Sequence, residues 1–325
     1  MLEFCDKAPL CRFVFTMIVA LLLAGSAVLA DAPDEGWYPI GPPGGEVTYI
    51  QADYQNPGTL YAVNPIAGVF KSTDAGDHWF VTNAGLPVSS DYVGPLVIDP
   101  FVPQTLYIGT QDTSTTGGRG VYRTTDAGAT WQPVCPEGIG VGEIVADPQR
   151  AGVIYAWGSS RYSMNSLRYT LTQTVDRGET CEEVGLPFYY IGAPPVYYIQ
   201  LAVDSADPAL LHVLVSSLGS KNYVYYRKSP DAAWVESELP DSQVTAIVTS
   251  RQMPGLVLLA TSHGLYRSTD SGVNWARAIG LGETEVTALV ENRGTGAFYL
   301  VQNGIFVSPD VGATWTRLTE ELLRT

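Results

Sequence analysis

The sequence is poor in charged residues, histidine and cysteine. Of its 325 residues only 16% are Asp, Glu, Lys or Arg, and it has 3 His and 4 Cys. The three histidines lie in distant segments, so they do not predict a His-rich zinc site, and we expect neither a metal nor a cofactor. The sequence also lacks a Gly-rich phosphate loop and a Gly-x-Ser-x-Gly nucleophile turn.

Basic residues are scarcer than acidic ones. The chain has 18 Lys and Arg against 33 Asp and Glu, a formal net charge of −15, and no dense basic run. Such a surface repels phosphate backbones, which excludes nucleic acid as an expected partner. A protein or a glycan is the partner that the composition leaves open.

The N-terminal sequence has the pattern of a targeting segment. An apolar run at 13–30 follows Lys7 and Arg12 and ends in small residues, which predicts a signal peptide over 1–30, cleaved before Asp31. An uncleaved anchor is the alternative, and it would be the protein's only contact with a membrane. Either way we expect residues 31–325 to be exported, as a secreted or periplasmic protein. Cys135 and Cys181 remain there, and an oxidising compartment would permit a disulfide between them, but the sequence does not show whether they meet.

A short motif recurs along the chain. The stretch "RSTDSGVNW" at 267–275 has relatives in "KSTDAGDHW" at 71–79 and "RTTDAGATW" at 123–131. Aligned on the aspartate there are six copies of this motif, which are named boxes 1 to 6. The third box has Cys181 in place of Trp, and the fourth lacks the Gly. Their key residues are Asp74, Gly76, Trp79, Asp126, Gly128, Trp131, Asp176, Gly178, Asp231, Trp234, Asp270, Gly272, Trp275, Asp310, Gly312 and Trp315.

The flanks of the motif repeat as well. Two short apolar runs precede each copy, a third leads into it and a fourth begins at its Trp, which predicts four strands per unit. Six such units in series predict an all-β fold, a single β-propeller of four-stranded antiparallel blades, with six blades favoured and seven possible. The segment at 35–45 resembles an extra fourth strand that would close the ring.

The motif itself predicts a turn between the third and fourth strands. Asp and Ser/Thr side chains accept hydrogen bonds from nearby backbone N–H groups, and Gly permits a positive φ. The Trp starts the fourth strand and buries its ring. Because a single-substrate enzyme has no use for six equivalent sites, the structural role is favoured over the catalytic one.

S/T-x-D-x-G-x-x-W resembles the Asp-box, or bacterial neuraminidase repeat. That repeat occurs in sialidases, sortilin-type receptors, xyloglucan-cleaving glycoside hydrolases and the photosystem II assembly/stability factor family. The longer pattern "NPGTLYAV…GVFKSTDAGDHW" is most similar to the last two groups. The resemblance, over about residues 35–320, implies that the ligand site lies on the face opposite the boxes. It also implies that a xyloglucan enzyme would be longer, with two propellers.

The loops on the face away from the boxes are uneven. They are long at 110–120, 158–169 and 216–223 and in the link at 186–198, all in blades 2–4, but short in the fifth and sixth units. Loops on a rigid scaffold usually carry binding, so we expect the protein or glycan partner on this face. The candidate ligand- or partner-binding residues are Arg119, Arg161, Tyr162, Arg168, Tyr189, Tyr190, Tyr197 and Tyr198, with seam packing and solvated charge as the alternatives.

Evidence for catalysis is weak. Tyr49, Glu143 and Gln200 share one register on the first strands, which line the channel, and a Tyr–Glu pair there would suit a sialidase-like site. The sequence contains no Arg-Ile-Pro, and no arginine triad can be assigned. Asp112 and Glu143 are the nearest carboxylate pair for glycoside hydrolysis. No residue is therefore assigned as catalytic, and Glu143, Asp112 and Tyr49 are only weak candidates.

Three functions follow in order of preference. The first is an exported, non-catalytic propeller that acts as a binding or assembly scaffold for a protein partner or envelope complex. The alternative is a glycoside hydrolase related to sialidases or xyloglucanases. The second alternative is a carbohydrate-binding module.

Overall fold

The computed structural model describes residues 41–318, except for 43–44, 89–90, 113–118, 136, 164–165, 187–195, 205–209, 218–221, 229–231, 240, 242 and 293–294. The described residues form six antiparallel sheets of four strands each. They contain no helix long and apolar enough to cross a membrane. The predicted targeting segment at 1–30 lies outside this part of the chain, and so does most of 35–45.

The sheets follow one another along the chain and are named blades 1 to 6. Blade 1 consists of β1 (Tyr49–Ala52), β2 (Leu60–Asn64), β3 (Gly68–Ser72) and β4 (Phe80–Val81). Blade 2 consists of β5 (Asp91–Ile98), β6 (Leu106–Asp112), β7 (Val121–Thr124) and β8 (Gln132–Val134). Blade 3 consists of β9 (Gly140–Ala146), β10 (Ile154–Ser163), β11 (Ser166–Thr174) and β12 (Glu182–Val184).

The second half of the chain repeats this order. Blade 4 consists of β13 (Val196–Val203), β14 (Leu211–Ser217), β15 (Tyr223–Arg227) and β16 (Val235–Glu236). Blade 5 consists of β17 (Val244–Thr249), β18 (Val257–Thr261), β19 (Gly264–Ser268) and β20 (Ala276–Arg277). Blade 6 consists of β21 (Ala288–Glu291), β22 (Phe298–Val301), β23 (Ile305–Ser308) and β24 (Thr316–Arg317).

Each blade is a meander in which every strand pairs with the next one in sequence. Every residue of β18, the second strand of blade 5, is buried because both faces of this blade are covered by its neighbours. In β18, Val257 and Leu259 belong to the core shared with blade 4, whereas Leu258 and Ala260 belong to the core shared with blade 6. Strict alternation therefore directs the side chains to two cores rather than to one core and solvent.

The hydrophobic core lies in the seams between blades. Within the described residues, five clusters of buried side chains each join two consecutive blades, from the first pair to the fifth. The seam between blades 3 and 4, for example, contains the fully buried Leu171, Ile199 and Val213. The sequence repeat thus produces a repeated interface, and stability is distributed along the chain.

The first strands of four blades contain register shifts. In β9 the pairing with β10 shifts between Trp157 and Gly158, which leaves Gly142 without a cross-strand partner. A Cβ built on Gly142 would lie 2.4 Å from Cζ2 of Trp157, so only glycine fits beneath this ring. Comparable shifts occur in β5, β13 and β17. Such bulges bend the strand that lies nearest the axis.

Candidate functional site

The recurrent motif forms one hydrogen-bonded turn. In blade 5 the Ser268 hydroxyl donates to Oδ1 of Asp270 at 2.7 Å and accepts from the Gly272 N–H at 2.8 Å. The backbone N–H of Asn274 donates to the same Oδ1 at 2.8 Å, and its side-chain amide donates to Oδ2 at 2.7 Å. Both carboxylate oxygens of Asp270 are therefore occupied within the turn.

The same set of bonds recurs in the other four described boxes. Their aspartates bind the residue four positions later through both oxygens: Asp74, Asp126, Asp176 and Asp310. These hydrogen bonds, to main chain and to side chains, lower the pKa of all five aspartates to about 2. Asp231 of the fourth box lies outside the described residues. An aspartate engaged in this way holds a turn.

Two successive residues of each described box adopt a positive φ. The glycine is one of them, and the residue before it is the other, with φ between 51° and 65° at Ala75, Ala127, Arg177, Ser271 and Val311. Two left-handed residues in sequence are typical of the tight turn that joins adjacent antiparallel strands. The sequence predicted the glycine's conformation but not that of the residue before it.

The box tryptophans connect neighbouring blades. The indole N–H of Trp131 donates to the Thr82 carbonyl of blade 1 at 2.8 Å, and that of Trp275 donates to the Ser237 hydroxyl of blade 4 at 2.9 Å. The indole N–H of Trp234 donates to the Gly185 carbonyl of blade 3 at 2.6 Å. Trp131 and Trp315 are buried, and the other box tryptophans are half-buried. Each of these three bonds joins a blade to the end of the preceding blade.

The structure decides the pairing of Cys135 and Cys181, which the sequence left open. They form a disulfide with a Cα–Cα distance of 5.8 Å across a sequence separation of 46. Cys181 occupies the Trp position of the third box, and Cys135 directly follows β8, the fourth strand of blade 2. The disulfide therefore makes the link between blades 2 and 3 that an indole makes elsewhere. The sequence lists both cysteines but does not show that the two turns meet.

Opposite the boxes, the segments predicted as long loops in blades 2 and 3 are partly strand. The segment 158–169 belongs to a hairpin in which β10 has 10 residues and β11 has 9, whereas β22 and β23 of blade 6 have 4 each. Likewise β6 continues to Asp112, opposite Asp91 of β5. The ribbon formed by β10 and β11 therefore projects past the end of β9, because its cross-strand pairing continues from Ser159 to Ser163.

The predicted binding residues are spread over this face. Arg119 is exposed on blade 2, and its backbone N–H donates to the Thr110 hydroxyl. Arg168 is exposed on β11 and forms an ion pair with Glu183 at 2.7 Å. The backbones of Arg161 and Tyr162 lie in β10, and those of Tyr197 and Tyr198 in β13, so these residues belong to strands, but their side chains are outside the described part of the molecule. Tyr189 and Tyr190 lie outside it altogether.

Glu143 and Gln200 bind the neighbouring first strand. An oxygen of Glu143 accepts the Leu201 N–H at 2.7 Å, and one blade further on the Gln200 amide pairs with both the N–H and the carbonyl of Ile247. Glu143 as a whole is half-buried, but its carboxyl group points between two blades, and burial raises its pKa to about 8 despite the hydrogen bond. Both side chains thus connect successive blades beside the channel.

Tyr49 and Asp112 are the other two weak catalytic candidates. Tyr49 packs against the core between blades 1 and 2. Burial, and after it the negative charge of Glu143, raises the pKa of Tyr49 to about 12. The backbone of Asp112 lies in β6, but its side chain is outside the described part of the molecule. Glu143 and Tyr49 therefore interact electrostatically.

Two exposed residues on this face were not predicted. Tyr92 of β5 is 44% exposed, and Ile66, in the turn between β2 and β3, is 68% exposed. The two segments touch, because the Val93 N–H donates to the Pro65 carbonyl at 2.9 Å. Neither residue stands out in the sequence, since exposure at the end of a strand depends on how the next blade is placed.

The described residues provide no cluster of metal-binding side chains. Among them, no group of three or more His, Cys, Asp or Glu side chains converges. His78 and His263 each contact one aspartate, on different blades, as expected from their distribution in the sequence. A void of about 10 Å³, the size of one water, lies between blades 2 and 3 beside the disulfide and is too small for a sugar.

Six four-stranded meander sheets packed side by side define the protein as a β-propeller. It is similar in structure to an ancestral GH74 enzyme (TM-score 0.61, 17% identity, 88% of this chain and 40% of that one). It is also similar to the GH74 xyloglucanase of Xanthomonas campestris (TM-score 0.57, 18% identity, 82% and 46%). A third similar structure is YCF48 bound to D1 peptide (TM-score 0.51, 13% identity, 82% and 80%). At these identities the likeness shows the fold alone.

Sequence comparison finds glycoside hydrolases. A xyloglucanase of a Paenibacillus species is 25% identical over 248 residues, which is 64% of this chain and 23% of the relative. A probable oligoxyloglucan-reducing end-specific xyloglucanase of Neosartorya fischeri is 27% identical over 173 residues, or 50% and 20%. The chain thus spans less than a quarter of the curated relatives that it matches. No family model matches the sequence.

Proposed function

We propose that this propeller binds xyloglucan or a related neutral polysaccharide on the face opposite its boxes, and that it does not cleave the chain by itself. The observation that carries this proposal is the match to a xyloglucanase over 248 residues. The projecting ribbon of blade 3 supports the choice of face, because it departs from the blade repeat there. In the proposal, the box face is scaffold and the opposite face is the binding surface.

The proposed lack of cleavage rests on two observations. This chain aligns with 40% and 46% of the two GH74 chains, and the resemblance to the xyloglucan enzymes implies a second propeller. Hydrolysis with inversion or retention also needs two carboxyl groups about 5–10 Å apart. Of the two carboxylates singled out in the sequence, Glu143 is bound to the Leu201 backbone. In this proposal, Glu143 binds the backbone of the next blade and does not act as one of such a pair.

A protein-binding scaffold is the second candidate function. It is favoured by the structural similarity to YCF48 bound to D1 peptide. The alignment covers 80% of that chain, whereas it covers less than half of either GH74 chain. The extended strands of blades 2 and 3 provide edges to which a peptide strand can add. Export from the cytoplasm, as a secreted or periplasmic protein, is part of both proposals and rests on the apolar run at 13–30.

Affinity electrophoresis in gels that contain xyloglucan tests the main proposal, with reducing-sugar release measured on the same preparation. Retarded migration without release of sugar is the expected result. Release of sugar would show a glycoside hydrolase, and Glu143→Gln would then show whether Glu143 takes part. Migration that is unchanged by every polysaccharide, together with capture of one specific envelope protein, would replace the main proposal with the scaffold.

A further inference from the structure

Tyr92 and Gln111 form a pair on the surface of blade 2. They are direct cross-strand partners in the ladder of β5 and β6, so their side chains lie on the same face, with Cβ atoms about 5 Å apart. Tyr92 is 44% exposed and Gln111 is also exposed. They lie near the end of the blade that is opposite the boxes, between the pair Val93 and Thr110 and the strand ends Asp91 and Asp112.

A glycine of blade 3 continues this surface. A Cβ built on Gly140 would lie 3.3 Å from Cγ of Gln111, so the glutamine packs directly over the Gly140 backbone. Gly140 pairs with Ser159 of β10, the last residue of that strand to have a partner in β9. Tyr92, Gln111, Gly140 and Ser159 therefore form a row that crosses the seam between blades 2 and 3. The row ends where the ribbon of β10 and β11 projects from the propeller.

The chemistry of the row is neutral and polar. The Tyr92 ring offers an apolar face with a hydroxyl at its edge, and the Gln111 amide offers both donors and an acceptor. Because Gly140 has no side chain, the Gln111 side chain lies close against its buried backbone, and Ser159 continues the row on blade 3. An apolar ring beside neutral hydrogen-bonding groups matches a sugar, which has an apolar C–H face and hydroxyls around its rim. Without a cation in the row, the surface is unsuited to a phosphate.

From this geometry we propose that Tyr92 and Gln111 form a sugar-binding subsite, in which a pyranose ring stacks on Tyr92 and its hydroxyls bind the Gln111 amide. The ribbon of blade 3 forms a wall beside the sugar, and the polysaccharide runs across the seam. The inference rests on the proposed binding of a neutral polysaccharide, and it specifies where on the propeller that binding occurs.

Phe101 provides a matched control. It is 43% exposed and lies on the same blade as Tyr92, but in the turn between β5 and β6 at the box end. Removal of either ring deletes the same amount of exposed aromatic surface. A general effect of lost aromatic surface would be equal in the two variants, whereas a specific subsite predicts an effect at Tyr92 alone.

Isothermal titration calorimetry of the wild type, Tyr92→Ala, Tyr92→Phe, Gln111→Ala and Phe101→Ala with xyloglucan oligosaccharides and cellohexaose tests the subsite. We expect Tyr92→Ala to weaken binding by about tenfold or more and Gln111→Ala by several-fold. We expect Tyr92→Phe, which keeps the ring, and Phe101→Ala to stay within about twofold of wild type. Thermal melts establish that each variant is folded, and Tyr92→Phe and Gln111→Ala carry the test if Tyr92→Ala does not fold.

The titrations distinguish failure of the Tyr92–Gln111 subsite from failure of polysaccharide binding as a whole. If the wild type binds these sugars and both Tyr92→Ala and Gln111→Ala bind equally well, the subsite is wrong and polysaccharide binding stands. If Phe101→Ala weakens binding as much as Tyr92→Ala, the subsite is also wrong. If the wild type binds neither sugar, the proposed function and the subsite are both overturned.

Discussion

Cys181 replaces the tryptophan of the third box, and it is bonded to Cys135, the residue that follows the fourth strand of the preceding blade. In blades 2 and 5 the tryptophan at this position donates a hydrogen bond to the preceding blade. The third box thus keeps the connection between blades and changes its chemistry from an indole hydrogen bond to a covalent bond.

Loss of this bond should destabilise the protein. A cross-link over 46 residues restricts the unfolded chain, and closure of a loop of that length is worth about 4 kcal/mol. We expect Cys135→Ser/Cys181→Ser to lower the free energy of unfolding in urea by about 2–4 kcal/mol. The wild type in reducing buffer should match the double variant, whereas an unchanged unfolding midpoint in both would contradict the prediction.

The box aspartates should produce acid sensitivity. Their pKa values are lowered to about 2 in the folded protein, below the ordinary value of 3.8. The folded protein therefore binds protons at these carboxylates more weakly than the unfolded chain does. Their stabilising contribution is therefore complete above about pH 4 and is lost as the pH falls towards 2. Asp270→Asn should reduce the loss of stability between pH 4 and pH 2, measured by thermal melts. The exposed Glu137→Gln is the control and should follow wild type.

Glu143 should have the opposite pH dependence. Its pKa is raised to about 8 in the folded protein, above the ordinary value of 4.5, so the folded state holds the proton more tightly than the unfolded chain. Stability should therefore fall as the pH rises from about 4.5 to 8, by on the order of 1–3 kcal/mol. Glu143→Gln, which places the same amide there as Gln200, should remove this fall. Equal urea midpoints for wild type at pH 5 and pH 8 would show that Glu143 is not buried in this way.

Gly142 should not tolerate a side chain. A Cβ there would lie 2.4 Å from the Trp157 ring, whose indole N–H donates to the Ile199 carbonyl of blade 4 at 2.9 Å. We expect Gly142→Ala to cost about 1–3 kcal/mol and to change tryptophan fluorescence, because Trp157 must move. Gly185→Ala is the matched control: a Cβ there meets nothing within 4 Å and should leave both readouts within error.

Much of the fold follows from the repeat in the sequence. Six copies of one motif, each with the same apolar runs around it, predicted six four-stranded antiparallel blades, and the structure confirms them. This succeeded because alternation and turn residues are local properties, and each of the six copies supports the same assignment. The turn chemistry of the box was predicted for the same reason, since its partners lie within four residues of the aspartate.

Features that depend on contact between blades could not be read in this way. The disulfide joins turns that are 46 residues apart, and the sequence left open whether its two cysteines meet. The segment at 158–169 has the pattern of a loop because Ser, Arg and Asn interrupt its apolar residues, yet backbone pairing between β10 and β11 continues as far as Ser163 and Ser166. Backbone hydrogen bonds do not require apolar side chains, so the pattern underestimates these strands.

The amino-acid sequence by itself determined the repeating unit, the number of described blades and the chemistry of the turn that closes each one, because all three depend on residues that are close in the chain. Only the tertiary structure decided which residues meet across the seams. It placed Cys135 beside Cys181, turned Glu143 towards the Leu201 backbone, and set Tyr92 and Gln111 beside Gly140. The physical reason is that the seams are formed by packing between units about 40–55 residues apart, which no local pattern encodes.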